Sequence, residues 1–214
     1  PMLSSQDHKR AYDGNQGPNT GGMGAFCPSP KYTPEIAQRC VKEIFLPTVA
    51  ALKAEGRPFK GVIYFGLMLT TDGPKVVEYN ARFGDPETQP ILSMLDTDLM
   101  DIFQACVDGA LDKVDIQWKK GAACCLVLAS GGYPVSYKSG YPISGLAEAE
   151  ALGATVFHAG TKKSDSGEVL TAGGRVLGVT AAAPSLEEAI DKAYAAARPI
   201  HFQDMHFRTD IGKV

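Results

Sequence analysis

Apolar residues follow two periods along this chain. From Gly61 to Leu69 they run almost without interruption, with Val62, Tyr64 and Met68 on one alternating face and Ile63, Phe65, Leu67 and Leu69 on the other. That pattern predicts a strand covered on both sides. Thr71-Asp-Gly-Pro74 supplies a tight reversal, because Asp-Gly accommodates the positive φ it needs. The return strand from Lys75 places Val76, Glu78 and Asn80 on one face and Val77 and Tyr79 on the other, with residues two apart roughly 6.5 Å from each other. Gly84-Asp85-Pro86-Glu87 then predicts a helix start, with Asp85 as N-cap and Pro86 in the first helical position. Helical spacing continues through Ile91, Leu92 and Leu95, and again through Leu99, Ile102, Phe103 and Cys106 up to Gly109.

Upstream, Thr33-Pro34-Glu35 opens a helix whose apolar stripe is Ile36, Cys40, Ile44 and Val49 and which stops at Gly56; Pro47 is expected to kink or split it. Periodicity fades between Asp108 and Lys120, which predicts a boundary and two domains, residues 1–115 and 116–214. Beyond it, strands are expected at Ala122–Ser130, Thr155–His158, Glu168–Thr171 and Val176–Ala182, between glycine-rich turns. One helix follows, with Ser185 and Glu188 as a capping box, running to about Arg198. The fold class is α+β.

Composition narrows the function. The 214 residues are 44% hydrophobic and 21% charged, an ordinary globular balance with enough chain for a good core. A net charge of −3 and pI near 5.8 give no electrostatic footprint for nucleic acid or an anionic membrane, so the expected ligands are small molecules. The longest clean apolar run, Ala122–Ala129, falls well short of the roughly 20 residues that span a bilayer. No secretory leader opens the sequence, and five cysteines without metal-ligand spacing read as reduced core residues, so a cytoplasmic location is expected.

Glu78 and Asn80, a carboxylate and an amide oxygen on one strand face, suit a hard divalent cation whose remaining ligands are phosphates and water. The same pair also reads as an ordinary solvated strand end. Arg82 follows at the same parity, where a guanidinium fork fits beside a phosphate. At the other end, Gly17, Gly21, Gly22 and Gly24 let backbone N–H groups approach an anion, or else form a flexible connector; their spacing excludes the two common nucleotide loops. Lys9 and Arg10 read equally as phosphate contacts or surface cations. His8 has no partner fixed by spacing; His158 and Arg175 border glycine-rich turns and could face the cleft, but read rather as a structural histidine and a surface arginine, and His201 and His206 lie near the end without partners.

Glu78-Tyr-Asn-Ala-Arg-Phe-Gly-Asp-Pro-Glu-Thr-Gln-Pro90 resembles the signature of the glycinamide ribonucleotide synthetases (phosphoribosylamine–glycine ligases) of the ATP-grasp superfamily. Asp7-His-Lys-Arg10 followed by Gly17-Pro-Asn-Thr-Gly-Gly-Met-Gly24 resembles the same family in the same order, as do Val156–Thr161, Gly173–Thr180 and Arg208–Gly212. Phe65 and Ala81 depart from the family pattern without touching its polar residues. The resemblance implies the C-terminal part of an ATP-grasp domain, an antiparallel sheet with helices, followed by a small mixed α+β domain. It implies ATP as co-substrate and Mg2+ or Mn2+ as cofactor, held by Glu78 and Asn80. Arg82 is then the stabiliser of the transferring phosphoryl group, and Asp85 and Glu87 orient the amino groups of glycine or 5-phosphoribosylamine. Lys9, Asn19, Thr20, Gly21, Gly22 and Gly24 form the seat for the ribose phosphate. The family's adenine-binding and lysine-bearing portion is expected upstream of Pro1, so this chain reads as a truncated C-terminal half, partnered by the missing N-terminal half and inactive alone. Another ATP-grasp carboxylate–amine ligase, a non-catalytic binding fragment and a metal-dependent phosphohydrolase remain alternatives.

Overall fold

Ala122–Ser130 (β7) is the strand on which the larger part of the molecule is built, because all nine of its residues are buried. In the computed structural model, which describes residues 1–213, two compact units are present. The first combines Pro1–Ser29, Asp85–Met94 and the chain from Lys119 onward. The second is Pro30–Gly84 with Leu95–Trp118.

The first unit contains β1 (Gln6–Asp7), β2 (Arg10–Tyr12), β3 (Gln16–Asn19) and β4 (Gly24–Cys27) from the start of the chain. From the region after Asp85 come α3 (Thr88–Ser93), β7, α5 (Leu146–Ala151), β8 (Thr155–His158), β9 (Thr161–Lys163), β10 (Val169–Thr171), β11 (Arg175–Ala183), α6 (Leu186–Ala197) and β12 (Met205–His206). The main sheet has the order β1-β4-β7-β11-β8, with β12 added beside the end of β7, and every pairing in it is antiparallel. Cys124, Leu126 and Leu128 pack with Phe26 and the alanine face of α6 (Ala189, Ala193, Ala196, Ala197). The alternate face carries Cys125, whose Sγ lies against Gly178 as Gln89 of α3 does. A strand with a helix on each side must be apolar throughout, which is why β7 shows no alternation.

This grouping differs from a division at residue 115. Phe26 pairs with Cys124 and Ala25 with Cys125, so the first 29 residues complete the sheet of the C-terminal strands. Further ties come from Arg208, only 2% exposed, whose Nε and Nη2 donate to the Asp210 carboxylate at 2.7 and 2.8 Å while Nη1 donates to Arg10 O at 3.1 Å. His206 Nε2 bonds Ala11 O at 2.7 Å, so this histidine has a partner after all.

The capping box is present: Ser185 Oγ accepts from Glu188 N at 3.2 Å and Glu188 Oε2 accepts from Ser185 N at 3.1 Å. Ser185→Ala is expected to cost about 1 kcal/mol, read as a lower urea midpoint at unchanged slope. The six-residue α5 was not expected, being too short to show a helical period.

In the second unit, α1 (Pro34–Cys40) is capped by Thr33, whose Oγ1 accepts from Ile36 N at 3.4 Å. A single π-helical turn, Val41–Phe45, then leads into α2 (Leu46–Ala54). The wider turn comes just before Pro47, whose ring has no N–H and would clash with the carbonyl four residues back. Cys40 and Ile44 are buried, but Val49 is exposed, so the expected apolar stripe is only partly covered. α4 (Leu99–Asp108) starts from an Asp98 cap and ends at Gly109 in the left-handed region.

The hairpin β5 (Tyr64–Thr70) and β6 (Gly73–Asn80) is a two-stranded ribbon. Contrary to the doubly covered strand expected from Gly61 to Leu69, Met68 is 57% and Leu69 39% exposed. One face packs through Phe65 against Phe45, ring centroids 4.5 Å apart, and among the described residues no third strand joins the ribbon. No helix among the described residues is long and apolar enough to cross a membrane.

Candidate functional site

The ribbon places two of the expected site residues side by side. Its register shifts between Gly66 and Leu67: Glu78 opposes Gly66, whereas Val76 opposes Leu67. Val77 is therefore the extra residue of a β-bulge, and a bulge reverses parity across itself. Glu78 and Asn80 share a face with Tyr64 and Gly66, while Val76 moves to the opposite face, correcting the expected alignment of all three. Asn80 Nδ2 lies 3.4 Å from Glu78 Oε1. Gly66 provides the room beneath them, since a Cβ there would stand 2.8 Å from Glu78 Cγ. The Asn80 amide nitrogen faces the carboxylate, and a half-turn about the last side-chain bond would exchange it for the amide oxygen. Among the described residues no group of three or more His, Cys, Asp or Glu side chains is placed to hold a metal ion. Arg82 lies two residues beyond β6, exposed, its Nη1 donating to Phe83 O at 3.0 Å.

In the first unit, the segment after Gly84 departs from the expected helix start. The Asp85–Pro86 peptide is cis, the residues form a turn, and α3 begins only at Thr88, with Glu87 rather than Asp85 in the N-cap position and no side-chain cap. The Asp85 carboxylate is engaged elsewhere: Oδ2 accepts from Arg175 Nη2 at 3.0 Å and Oδ1 from Gln89 Nε2 at 3.1 Å. Arg175 is thus no free surface arginine. Glu87 is 4% exposed beneath this turn.

The glycine-rich stretch is better ordered than a connector. Thr20 N donates to Lys9 O at 2.7 Å, Gly21 N to Tyr133 Oη at 3.0 Å, Gly22 N to Thr20 Oγ1 at 2.9 Å and Met23 N to His8 O at 2.9 Å. Two of the N–H groups expected to approach an anion, those of Gly21 and Gly22, are consequently committed within the chain. Lys9 Nζ sits 2.6 Å from Asp7 Oδ2. His8 Nε2 faces the Gly212 N–H at 3.4 Å and its ring lies 5.8 Å from that of Phe26, a structural placement. His158 Nδ1 lies 3.0 Å from Thr161 Oγ1, also structural.

Asp7 and Tyr133 were given no site role by sequence reasoning, and Arg175, which borders the Gly173-Gly174 turn, was weighed for the cleft and set aside as a surface arginine. Burial, then the neighbouring Glu87 carboxylate, push the Asp7 carboxyl up to about 6, with Lys9 acting in the opposite sense. Between about pH 4 and 6 the folded chain therefore keeps a proton that the unfolded chain, with its ordinary aspartate near 3.9, gives up. Stability is expected to fall as pH rises through that window. Urea unfolding at pH 4.5 and 7 checks this: Asp7→Asn should flatten the difference, and an equal slope in both proteins would contradict the assignment. Asp210 has the reverse sign. The Arg208 guanidinium bonded to it holds its carboxyl down at about 2, so its contribution is present above about pH 4 and lost as pH falls toward 2.

Comparison with known proteins shows the family to which the chain belongs. Residues 1–88 match the model of the phosphoribosylglycinamide synthetase ATP-grasp (A) domain, and residues 123–214 match the model of the C domain of the same synthetase. The phosphoribosylamine–glycine ligase of Vibrio vulnificus is 50% identical over 213 residues, covering 99% of this chain and 49% of that protein. The enzyme of that name from Synechocystis is 51% identical over 214 residues, covering 99% and 51%. The chain thus spans about half the length of the curated relatives it matches. A crystal structure of the Thermotoga maritima phosphoribosylamine–glycine ligase superposes with a TM-score of 0.88 at 34% identity, over 99% of this chain and 51% of that one. Kluyveromyces lactis urea carboxylase, at 14% identity and a TM-score of 0.60, shares the fold alone. The fold, the two family models and a likeness of about 50% identity over 99% of the chain lead to one conclusion: the chain belongs to the phosphoribosylglycinamide synthetase family.

Proposed function

We propose that this chain is the C-terminal part of an ATP-dependent carbon–nitrogen ligase that joins glycine to 5-phosphoribosylamine, giving glycinamide ribonucleotide, ADP and phosphate, a step of purine biosynthesis in the cytoplasm. The observation that carries the reading is the acid–amide pair, Glu78 beside Asn80 over Gly66, in a chain of this family.

A carboxylate is a poor electrophile. Phosphorylation of the glycine carboxylate by ATP gives glycyl phosphate, whose phosphate leaves when the amine of phosphoribosylamine attacks. Such a transfer is governed by positioning and by neutralisation of charge. Glu78 and Asn80 would hold the Mg2+ or Mn2+ ion, which would supply neutralising charge to phosphate oxygens. Arg82, a planar fork of donors, stabilises the phosphoryl group in transfer. Asp85 and Glu87 orient the amino groups of the substrates. Lys9 supplies the charge for the ribose phosphate, in a seat lined by Asn19, Thr20, Gly21, Gly22 and Gly24. The partner is the N-terminal half of the same enzyme.

A substrate panel on the full-length protein tests the reading. Phosphate release from ATP should require glycine and phosphoribosylamine together. Release with a different carboxylate and amine points to another ligase of the superfamily, and release without an acceptor points to a phosphohydrolase; either result would contradict the assignment.

A further inference from the structure

The peptide groups flanking Gly21 are held from both sides by residues of the C-terminal segment. The Gly21 N–H donates to Tyr133 Oη at 3.0 Å, and the Gly21 carbonyl accepts from Arg175 Nη1 at 3.0 Å. The same guanidinium donates to Asp85 O and, through Nη2, to Asp85 Oδ2, each at 3.0 Å. One planar fork therefore joins the glycine-rich loop, the turn that carries Asp85 and the start of β11. Tyr133 and Arg175 both lie in the stretch matching the C domain, whereas Gly21 and Asp85 lie in the stretch matching the ATP-grasp domain.

The surroundings are shaped for these contacts. A Cβ at Gly174 would come within 2.7 Å of Tyr133 Cε2 and 3.0 Å of Tyr137 Cε1, so the missing side chain lets the Tyr133 ring lie close to the backbone beside Arg175. Ser130 fixes that backbone, donating from its N–H to Gly174 O and from Oγ to Gly173 O, both at 2.8 Å. A Cβ at Gly21 would stand 3.0 Å from Arg175 Cζ, so the guanidinium lies against a bare Cα. A side chain at 174 forces the Tyr133 ring to move, and one at 21 requires the guanidinium to give by a few tenths of an ångström.

We propose that Arg175 and Tyr133 are positioning residues, through which the C-terminal domain sets the geometry of the substrate loop and of Asp85. The proposal rests on the reading of that loop and of Asp85 as substrate-binding. Arginine is required because a lysine, a single point charge, cannot bond two carbonyls and a carboxylate in one plane. A misplacement of about 1 Å costs about 100-fold in an oriented reaction.

The test uses Tyr133→Phe, Arg175→Ala and Arg175→Lys in the full-length protein. Tyr133→Phe keeps the ring on Gly174 and removes only the acceptor. Hydrogen exchange at the Gly21 amide is expected to rise at least tenfold in Tyr133→Phe, with the melting temperature within a few degrees of the parent. In the Arg175 variants, kcat/KM for phosphoribosylamine should fall by about 100-fold while KM for ATP stays within about twofold. Lysine at 175 should recover little of the loss. Unchanged exchange at Gly21, or a loss spread equally over all substrates and accompanied by a lower melting temperature, would overturn the proposal. If the unsubstituted protein showed no glycine-dependent turnover, the ligase reading itself would fall, a result the exchange measurement would not mimic.

Discussion

Glu78→Gln in the full-length protein should lower kcat by roughly 100- to 1,000-fold, about 3–4 kcal/mol of transition-state stabilisation, with the fold retained. The side chain is exposed and lies beside Asn80 over the bare Cα of Gly66, outside the apolar packing of the ribbon. The neutral amide keeps shape and loses the attraction for a dication. The expected signature is a large fall in kcat, a raised requirement for Mg2+ and an unchanged melting temperature. Wild-type turnover in Glu78→Gln would remove the ribbon from the mechanism.

Phe26→Ala should be the most damaging single truncation for stability, at about 3–5 kcal/mol. The ring is fully buried, packed in the cluster with Leu126, Leu128 and the alanines of α6, and its strand is bonded to β7. Because β4 belongs to the sheet of the C-terminal strands, loss of this ring should lower protection in residues 122–130 and 175–183 together with that of residues 24–27. Chemical denaturation with site-resolved hydrogen exchange checks both statements. Loosening confined to residues 1–29, with the C-terminal strands still protected, would show that the first 29 residues are not an integral part of that sheet.

What could be read from the sequence and what could not divide along physical lines. β7, β8, β10, β11 and α6 were legible because their signals are local: an eight-residue apolar run from Ala122 to Ala129, Gly-Gly turns, and Ser185 three residues before Glu188. The pairing of β4 with β7 was not, since contacts between residue 26 and residue 124 leave no trace in local periodicity. Apolar residues on both faces of β5 misled in the other direction, because a hydrophobic pattern reports what a strand is able to bury and not how many layers cover it. Glu78 and Asn80 were found by a period of two, and that period survives between them; the bulge at Val77 broke it one step earlier and displaced Val76. The helix expected from Asp85 starts only at Thr88, and the Asp85 carboxylate, instead of capping it, is taken by Arg175 and Gln89. Arg175 itself was read as a surface residue, since no sequence rule links it to Gly21 or Asp85, more than eighty positions away. The buried Asp7 was passed over as one member of a charged run. Only its place beside Glu87 and under the glycine loop sets it apart from the exposed Lys9 and Arg10.

The most direct test of the central claim is an anomalous-scattering map of the full-length protein crystallised with Mn2+ and a non-hydrolysable ATP analogue. The account predicts a Mn2+ peak at ligand distance, roughly 2.0–2.6 Å for oxygen-bound divalent ions, from a Glu78 carboxylate oxygen and the Asn80 amide oxygen, bridged to the nucleotide's phosphates. A nucleotide-bound Mn2+ held by other side chains, with Glu78 and Asn80 still turned to solvent, would contradict it.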